Sequence, residues 1–507
     1  MAHTHPQITI TLQPLGRTFE VERGTALRAV LHAYGVEFPC GGRGRCAGCR
    51  VKQTGGSLGV TGEQNDILTR EEIARGWRLA CRCVVESDVT LEVGQWDAVI
   101  LADHSTFEFA PRPGLGIAVD LGTTTIVAQL LDLESGHVLA VCTAINPQTI
   151  HGNDVMSRIQ LATDGGRQTH LVAELRHDIG TLLGTLVASA RRPLPHIDTV
   201  VIVGNTVMHH LFCGTDLTSL SRSPFTSVDD GPRLFHAADL GWTLAANPTV
   251  RFLPCLGGFV GSDVLAGILA TKMHQRETPS VLVDLGTNGE IVVGNRHRML
   301  CASTAAGPAF EGGRIAMGMR AITGAISEVI IEKGRLHCRT VGDAPARGIC
   351  GSGLVDAVAA GLDLGLIQPS GRLTQPDRSI ELAPPVSLTQ SDIRQLQLAK
   401  AAIAAGLRIL RRRFGHDACE AAPLYLAGAF GNYVNRASAR RIGLLDVPAE
   451  MVQPAGNTAL LGAKIALCAN EHGDDGFRWI RERIEHVALA ADPEFQETYV
   501  DATTFPE

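Results

Sequence analysis

The stretch Cys40-Gly-Gly-Arg-Gly-Arg-Cys46-Ala-Gly-Cys49 places three cysteines in one segment, with five and then two residues between them. A fourth cysteine ends the segment Arg78-Leu-Ala-Cys81, after 31 intervening residues. The glycines let backbone N–H groups approach bridging sulfides, because they have no Cβ to block the contact. The first gap is one residue longer than in the plant-type C-x4-C-x2-C…C pattern. This spacing predicts a [2Fe–2S] cluster whose metal ligands are Cys40, Cys46, Cys49 and Cys81.

Zinc is the alternative metal for these cysteines. Zinc sites usually pair their ligands as two short C-x2-C knuckles, and in this segment only Cys46 and Cys49 form such a pair. The alternative fourth ligand is Cys83, although Leu-Ala-Cys81 resembles the closing motif of ferredoxins and the longer first gap resembles adrenodoxin-like ferredoxins. A hairpin, a helix and returning strands surround these motifs, so we predict a β-grasp ferredoxin domain over residues 1–97.

Composition narrows the class of protein. The chain has 507 residues, of which 45% are hydrophobic, so we expect several well-packed domains. The net charge of −7 is spread without long acidic or basic runs, which makes nucleic acid an unexpected partner. Most of the 13 cysteines stand alone within apolar segments, as is typical of reduced cytoplasmic proteins. We find no apolar run of membrane-spanning length and no signal-peptide pattern, so the predicted location is the cytoplasm, away from membranes.

A second pattern occurs twice in the remaining chain. An apolar strand ends in Asp120-Leu-Gly-Thr-Thr-Thr125, and the same phrase returns 164 positions later as Asp284-Leu-Gly-Thr-Asn-Gly289. Two further apolar strands, ending at Gly204 and Gly428, are similarly placed in the two halves. A Gly-Thr hairpin offers N–H groups and hydroxyls to phosphate oxygens, and the aspartate can hold Mg²⁺. The duplication predicts two lobes with the triphosphate of ATP between their hairpins.

These motifs resemble those of the superfamily of actin, sugar kinases and heat-shock ATPases. The resemblance implies a duplicated, two-lobed actin-like (ribonuclease H-like) ATPase, and makes Leu426-Ala-Gly-Ala-Phe-Gly-Asn432 the adenosine motif. The predicted catalytic residues are Asp120 and Asp284, with Glu290 as a less certain polar helper. The predicted phosphate ligands are Gly122, Thr123, Thr124, Gly286, Thr287 and Asn288. The residues expected near the adenosine are Gly428, Gly431 and Asn432.

The predicted fold class is therefore α+β for the ferredoxin and α/β for the ATPase. A linker over 98–113, which contains Pro111 and Pro113 at its end and is followed by Gly114, separates the ferredoxin from the ATPase. We predict lobe I over 114–276 and lobe II over 277–470, with the last helix crossing back to lobe I as is common in this superfamily. Residues 471–507 are predicted to be a polar C-terminal surface extension.

A ferredoxin placed before such an ATPase resembles the reductive activators of corrinoid-dependent proteins, which use ATP to return Co(II) corrinoid to Co(I). The resemblance includes Gly204-Asn-Thr-Val-Met-His209 and Gly307-Pro-Ala-Phe-Glu-Gly-Gly313. It implies a [2Fe–2S] cluster, ATP and Mg²⁺ as cofactors. The implied partners are a corrinoid-dependent methyl-transfer protein and an upstream electron donor, and a homodimer is compatible with it. One departure is the short linker, which cannot contain the extra domain that some relatives carry between ferredoxin and ATPase.

Other functions fit parts of the same pattern. The electron could go to a different low-potential acceptor, or the chain could be a small-molecule kinase with an iron–sulfur redox sensor. A third alternative is a redox-regulated binding protein in which ATP only sets the shape. His209 and Ser303 are weak candidates for facing the corrinoid, because a histidine at such a position is more often in the core or on a helix surface.

Overall fold

The computed structural model describes residues 7–13, 17–33, 49–65, 67–93, 109, 111–152, 154–164, 166–189, 196–415, 419–431, 433–469 and 474–507. Three predicted site residues, Cys40, Cys46 and Asn432, lie outside these ranges. The chain divides into two compact units, one of residues 1–100 and 309–396 and the other of residues 101–308 and 397–507. The predicted domain boundaries remain predictions. Among the described residues, no helix is long and apolar enough to cross a membrane.

The N-terminal region is a small sheet with one main helix against it. Alternation of buried and exposed side chains in Gln7–Gln13 buries Ile8, Ile10 and Leu12 on one face, as expected for a half-buried strand. The strands pair in the order β2-β1-β7-β4-β5, and β3 pairs separately with β6. The elements are β1 (Gln7–Gln13), β2 (Arg17–Glu22), β3 (Thr25–Ala26), α1 (Leu27–Ala33), β4 (Arg50–Gly56), α2 (Gly62–Asn65), α3 (Arg70–Ala74), β5 (Trp77–Leu79), β6 (Val84–Val85) and β7 (Val89–Val93).

The first half of the ATPase region is built on a six-stranded sheet in the order β10-β9-β8-β11-β13-β12. The central strands are continuous runs of buried apolar residues, which is typical of strands covered on both faces. Its elements are β8 (Leu115–Leu121), β9 (Thr125–Asp132), β10 (Val138–Ile145), α4 (Val155–Thr163), α5 (Gln168–Ser189), β11 (Ile197–Gly204), α6 (Thr206–Cys213), β12 (Arg233–His236), β13 (Thr249–Phe252) and α7 (Ser262–Thr271).

The second half begins with β14 (Ser280–Leu285), β15 (Gly289–Gly294) and β16 (Met299–Thr304). The segment 309–396 then interrupts it with a separate three-stranded sheet in the order β18-β17-β19, a helix and a hairpin. The elements of that segment are β17 (Ala325–Glu332), β18 (Arg335–Thr340), β19 (Gly348–Ile349), α8 (Gly351–Asp363), β20 (Ser379–Ala383) and β21 (Val386–Thr389).

The chain then returns to complete a second six-stranded sheet, in the order β23-β22-β14-β15-β16-β24. The remaining elements are α9 (Gln390–Phe414), β22 (Leu424–Ala427), α10 (Gly428–Gly431), α11 (Arg436–Arg441), β23 (Val452–Gly456), α12 (Thr458–Cys468), α13 (Asp474–Arg483), β24 (Ile484–His486) and α14 (Phe495–Thr503).

The two large sheets repeat one topology. In each, an aspartate-bearing strand pairs antiparallel with the next strand, which pairs antiparallel with a third: β8-β9-β10 in one and β14-β15-β16 in the other. On its other side the aspartate-bearing strand pairs parallel with one strand, β11 or β22, which pairs parallel with the next, β13 or β23. These five strands are therefore arranged alike in both halves, while the sixth strand, β12 or β24, lies at a different edge of each sheet, and the predicted duplication is confirmed.

Helix α12 packs against the first half of the ATPase region, on helix α7 and strands β8 and β11. Small residues allow this close crossing, because a Cβ added at Gly462 would lie 2.1 Å from the carbonyl oxygen of Ala266. The same applies to Gly267, where an added Cβ would lie 3.2 Å from the hydroxyl of Thr458. The chain thus returns to its first sheet near its C-terminal end.

The prediction of a surface extension over 471–507 is wrong. Strand β24 pairs parallel with β16 and so extends the second sheet by one strand. Near the end of the chain, Phe505 is buried, and the side chains of Gln397 and Lys400 donate to the carbonyls of Thr503 and Thr504. A three-residue strand has too few positions to show a periodic pattern, which explains why sequence reasoning missed it.

Candidate functional site

Both predicted phosphate hairpins form, and each has its aspartate at the end of the central strand. Asp120 is paired across the first hairpin with Val127, and Asp284 is paired across the second with Glu290. Opposite residues in an antiparallel pair point to the same face. The second hairpin therefore presents two carboxylates on one face, whereas the first presents one carboxylate beside an apolar side chain.

Buried polar side chains fix the first hairpin. Arg158, which is fully buried, donates from Nη2 to the carbonyl of Thr123 at 2.6 Å, and Asn146 donates to the carbonyl of Gly122 at 2.9 Å. The amide of Asn205 donates to the hydroxyl oxygen of Thr123 at 2.8 Å. Because Thr123 accepts that bond, its own O–H stays oriented as a donor. This is the arrangement that binding a phosphate oxygen needs.

The second hairpin is closed by its own backbone, with the N–H of Gly286 donating to the carbonyl of Asn288 at 3.0 Å. The next strand supports it, since the hydroxyl of Thr304 donates to the carbonyl of Gly289 at 3.0 Å. Thr287 is buried within the turn. The space beside Gly286 is open, because a Cβ added there would meet nothing closer than the Asn288 carbonyl at 3.6 Å.

Helix α12 contributes a residue that the sequence analysis missed. Asn457 caps this helix by accepting from the N–H of Leu460 at 2.8 Å, and its amide donates to Oδ2 of Asp120 at 2.9 Å. The two partners are 337 positions apart in the chain. An asparagine before Thr-Ala-Leu-Leu is recognisable as a helix cap from sequence, but its contact with Asp120 depends on the helix packing across strand β8.

Asp263 is a second residue that the sequence analysis missed. It lies in the first turn of α7, whose start is held against the end of strand β11 by two bonds between the hydroxyl of Ser262 and the backbone of Gly204. Gly261 makes this approach possible, because a Cβ added there would lie 2.2 Å from the Gly204 carbonyl. Burial, followed by the charges of Asp284 and Asp120, raises the pKa of Asp263 to about 8. Asp263 is therefore a third aspartate in the same electrostatic environment.

The pKa values of the neighbouring carboxyls are raised in the same direction. Burial raises the pKa of Asp120 to about 6, against a lowering contribution from the Asn457 hydrogen bond. Burial and the charge of Asp120 raise the pKa of Asp284 to about 7. The pKa of Glu290 is raised well above its usual range by burial and by the charges of Asp263 and Asp284. Carboxyls crowded in this way favour the presence of a cation.

These side chains fit a Mg²⁺ ion that is shared with phosphate. Within the described part of the chain, no three histidine, cysteine or acidic side chains lie close enough to form a protein-only metal site. Mg²⁺ commonly uses one or two carboxylates and completes its shell with water and substrate phosphates. Asp120 and Asp284 are suited to that pattern, whereas a closed protein cage is not formed here.

Gly428, one of the predicted adenosine residues, lies close to the second hairpin. Gly428 has φ of +86°, and a Cβ added there would lie 2.5 Å from the Leu285 carbonyl and 2.7 Å from Oδ1 of Asp284. Gly431 is also closely packed, with an added Cβ 3.1 Å from the side chain of Leu426. Gly428 therefore packs next to Asp284 and Gly431 packs against Leu426, and their contact with adenosine stays a prediction. Asn432 lies outside the described residues.

The two weak corrinoid candidates have different surroundings. His209 is fully buried and packs edge-on against Phe252, with ring centroids 4.9 Å apart, so its side chain is part of the core. Ser303 donates to Oε1 of Glu290 at 3.4 Å and therefore lies beside the predicted nucleotide site. The suggestion that His209 faces a corrinoid is wrong for this reason.

Cys49 and Cys81, two of the predicted cluster ligands, lie at neighbouring strand ends. Cys49 comes directly before β4 and Cys81 directly after β5 and Ala80, and these strands pair with Arg50 opposite Leu79. The N–H of Ala80 donates to the Cys49 carbonyl at 3.0 Å, which brings the two cysteines to the same end of the sheet. Cys49 is buried and Cys81 is partly exposed.

Cys83, the alternative fourth ligand, is placed differently. Its side chain is 3% exposed, and burial raises the pKa of its thiol to about 12. The side-chain amide of Gln64 lies 3.9 Å from its sulfur. Cys49, itself a predicted ligand, is buried to a similar degree at 1% exposed, so the choice of Cys81 over Cys83 stays a prediction from the sequence. Cys40 and Cys46 lie outside the described residues.

Comparison with known proteins identifies three matching family models. Residues 10–86 match the 2Fe-2S iron-sulfur cluster binding domain, residues 115–276 the RACo middle region, and residues 278–507 the C-terminal domain of RACo, the ASKHA domain. The fold class is thereby confirmed as a β-grasp ferredoxin followed by an actin-like ATPase.

Relatives and a solved structure match most of the chain. The corrinoid activation enzyme RamQ of Eubacterium limosum is 34% identical over 442 residues, which are 80% of this chain and 74% of that protein. The [Co(II) methylated amine-specific corrinoid protein] reductase of Methanosarcina barkeri is 28% identical over 76% of each chain. A solved structure titled reductive activator for corrinoid,iron-sulfur protein is 26% identical and covers 99% of this chain and 98% of its own, with a TM-score of 0.70. The chain belongs to the family of reductive activators of corrinoid proteins.

Proposed function

We propose that this protein is an ATP-dependent reductive activator that passes an electron from a [2Fe–2S] cluster to the Co(II) corrinoid of a methyl-transfer protein and restores Co(I). The observation that carries the proposal is the combination, in one chain, of a ferredoxin domain with a duplicated ATPase. In that ATPase, the charges of Asp284 and Asp120 raise the pKa of Asp263. The relatives named as corrinoid activation enzyme and Co(II) corrinoid protein reductase support the choice of substrate.

The two hairpins bind the phosphates of ATP. Thr123 offers its O–H while Asn205 holds its oxygen, and the backbone around Gly286 lies beside open space that can receive a phosphate. Asp120 and Asp284 would hold Mg²⁺, which supplies positive charge against the phosphate oxygens. Asn457 keeps the Asp120 carboxylate oriented by donating to its Oδ2.

Asp263 has the position of a residue that orients the attacking water. It lies in the first turn of helix α7, beside the end of β11, and the charges of Asp284 and Asp120 both raise its pKa. Glu290, on strand β15, interacts electrostatically with Asp263, and its Oε1 accepts a hydrogen bond from the hydroxyl of Ser303. A carboxylate that accepts a hydrogen bond from water can orient that water for attack on the γ-phosphate.

Coupling electron transfer to ATP has a thermodynamic reason. The Co(II)/Co(I) couple is very low, and the cluster, when bound, supplies a single electron at a potential that is commonly higher. For one electron, about 59 mV corresponds to a factor of ten in the equilibrium constant. ATP can offset this deficit only if the protein holds its partner differently in two nucleotide states. We infer that hydrolysis follows the electron transfer and releases the partner.

The decisive experiment measures ATP hydrolysis by the holoprotein with its cluster pre-reduced, with and without a Co(II) corrinoid methyl-transfer protein, while corrin absorption reports Co(I). We expect ATP-dependent Co(I) formation and stimulated hydrolysis. Cys83→Ser is the matched control for Cys81→Ser: the first should keep the cluster absorption and the second should lose it. If the corrinoid protein gives no Co(I) and does not stimulate ATP hydrolysis, the proposed acceptor is rejected.

The proposed reaction also needs an upstream one-electron donor that reduces the cluster after each turnover. A homodimer is compatible with it, and sedimentation of the holoprotein would test that assembly.

A further inference from the structure

The carboxylate of Glu72, in helix α3 of the ferredoxin domain, is shared between two arginines. One oxygen, Oε1, accepts from Nη1 of Arg50 at 2.9 Å and lies 3.5 Å from Nη2 of Arg347. The other oxygen, Oε2, accepts from the backbone N–H of Thr69 at 3.0 Å and closes the capping box of α3. Both oxygens are engaged, so the orientation of this carboxylate is fixed from both sides.

Arg347 belongs to the distant segment 309–396, which lies in the same compact unit as the ferredoxin domain. Its side chain is only 7% exposed. The turn at Thr323 and Gly324 positions it, because the N–H of Arg347 donates to the Gly324 carbonyl at 2.9 Å and Nη1 lies 3.5 Å from the Thr323 carbonyl. Gly324 has φ of +87°, and a Cβ added there would lie 2.7 Å from Cδ of Arg347. A guanidinium this deeply buried is stable only with charged or polar partners.

On the ferredoxin side, the contact lies at the end of the sheet that carries the cluster cysteines. Arg50 directly follows Cys49, and its guanidinium lies over the ring of Trp77, 4.5 Å from the ring centroid. On the other side, Arg347 directly precedes strand β19, which leads into helix α8. Glu72 therefore connects the cysteine-bearing strand end with the start of the β19–α8 unit.

We propose that segment 309–396 is the docking site of the ferredoxin domain within the same chain, with Glu72 as the shared carboxylate that holds the Cys49 end against Arg347. This interaction does not depend on which acceptor receives the electron. Its chemistry is an intramolecular ion pair between a partly exposed carboxylate and a buried guanidinium. Such a pair gives orientation as well as attraction, because the planar guanidinium offers donors in fixed directions.

Carbodiimide cross-linking of the holoprotein tests the contact directly. In Arg347→Lys, we expect an amide between Glu72 and the new amine, recovered by mass spectrometry as a peptide that joins the ferredoxin domain to segment 309–396. Arg339→Lys is the matched control, because Arg339 pairs with Glu328 at 3.1 Å in the same segment and is 59% exposed. That variant should join positions 328 and 339 and give no bond to Glu72.

The outcomes separate docking from its alternatives. Adding Glu72→Gln to Arg347→Lys should lower the yield of the joined peptide about tenfold or more, since the amide cannot be activated. Mixed ¹⁴N and ¹⁵N chains should give joined peptides of a single isotope, as expected for a contact within one chain. Recovery of the 328–339 bond without the 72–347 bond would overturn the proposal, and so would joined peptides in which the mixed-isotope species appears beside the single-isotope ones at the proportion expected for random pairing of chains.

A charge reversal gives an independent readout. Arg347→Glu places two carboxylates together, so small-angle scattering should show a larger radius of gyration than for the unmodified protein, while Arg339→Glu should leave it unchanged. The cluster absorption spectrum checks that the ferredoxin domain stays folded in both variants. An unchanged radius of gyration in a folded Arg347→Glu protein would contradict docking through this pair.

Discussion

The two predicted phosphate hairpins differ in the length of the turn and in the residue opposite the aspartate. Residues 122–125 lie between the paired Leu121 and Ile126 of the first hairpin, and residues 286–288 lie between the paired Leu285 and Gly289 of the second. Val127 faces Asp120 across the first hairpin, and Glu290 faces Asp284 across the second. Both copies therefore keep the aspartate and the Gly-Thr turn, and the second copy has a further carboxylate opposite its aspartate. Acidic side chains are concentrated on the second copy, and Asp263 from α7 adds to them through its interaction with Asp284 and Glu290.

The two hairpins also differ in the side chains that contact them. Buried amide and guanidinium groups of Asn146, Arg158 and Asn205 hold the first hairpin, and Asn457 holds its aspartate. The second aspartate, Asp284, instead packs closely against the backbone of Gly428 and lies opposite the carboxylate of Glu290. This difference suggests a division of roles, with the first copy as a fixed phosphate-binding platform and the second as the reactive side.

The largest expected effect comes from removing the charge of the second aspartate. Asp284→Asn should lower the rate of ATP hydrolysis by about 10²–10³-fold, because the amide neither holds a cation well nor helps to orient water. The first copy binds phosphate in the proposed division of roles, so Asp120→Asn should raise the KM for ATP more than it lowers kcat. Steady-state ATPase assays measure both constants.

Asp446→Asn is the control for that comparison, because the Asp446 side chain is 71% exposed and its weak pair with Arg408 is 3.9 Å long. It should leave both constants unchanged. Equal effects of Asp120→Asn and Asp284→Asn on kcat and KM would contradict the division between a binding copy and a reactive copy.

A smaller but more specific effect is expected at Asp263. Asp263→Asn keeps the size of the side chain and can still accept from the N–H of Val264, the bond that Oδ1 makes at 2.8 Å. We expect kcat for ATP hydrolysis to fall by about tenfold to a hundredfold, with nucleotide affinity retained or improved because a negative charge near the phosphates is lost. Equilibrium binding of a non-hydrolysable ATP analogue supplies the affinity. A loss of binding with kcat intact would show that Asp263 serves the nucleotide rather than the water.

Replacing Glu290 by the residue of the first copy tests the comparison most directly. Glu290→Val removes a buried carboxyl whose pKa is raised by its surroundings, so we expect the thermal midpoint to rise or stay unchanged while hydrolysis falls by about tenfold. The reciprocal Val127→Glu puts a carboxyl into a buried position of the first hairpin and should destabilise the protein by about 2 kcal/mol or more. Glu290→Val with full activity would remove Glu290 from the site.

Local motifs carried much of the fold and part of the site. The strand, the aspartate and the Gly-Thr turn of each hairpin are adjacent in sequence, so both hairpins and their repeat could be predicted from sequence. Asp263 and Asn457 could not, because each begins a helix whose approach to the hairpins depends on packing between distant elements. The small residues Gly261 and Gly462 permit that packing, but their sequence context does not reveal which backbone they will approach. The contact of Glu72 with Arg347, across 275 positions, was hidden for the same reason.

The smallest expected effect concerns Asn457, which both caps α12 and orients Asp120. Asn457→Ala should lose both contacts, with a destabilisation of about 1 kcal/mol from the missing cap and a change of a few-fold in the KM for ATP. Asn457→Ser separates these roles, because serine still caps a helix but has no amide to donate to Asp120. We expect the serine variant to recover the thermal midpoint and to keep the altered KM. Recovery of both by serine would mean that the hydrogen bond to Asp120 contributes nothing to nucleotide binding, and the first copy would then depend on Arg158 and Asn205 for its fixed geometry.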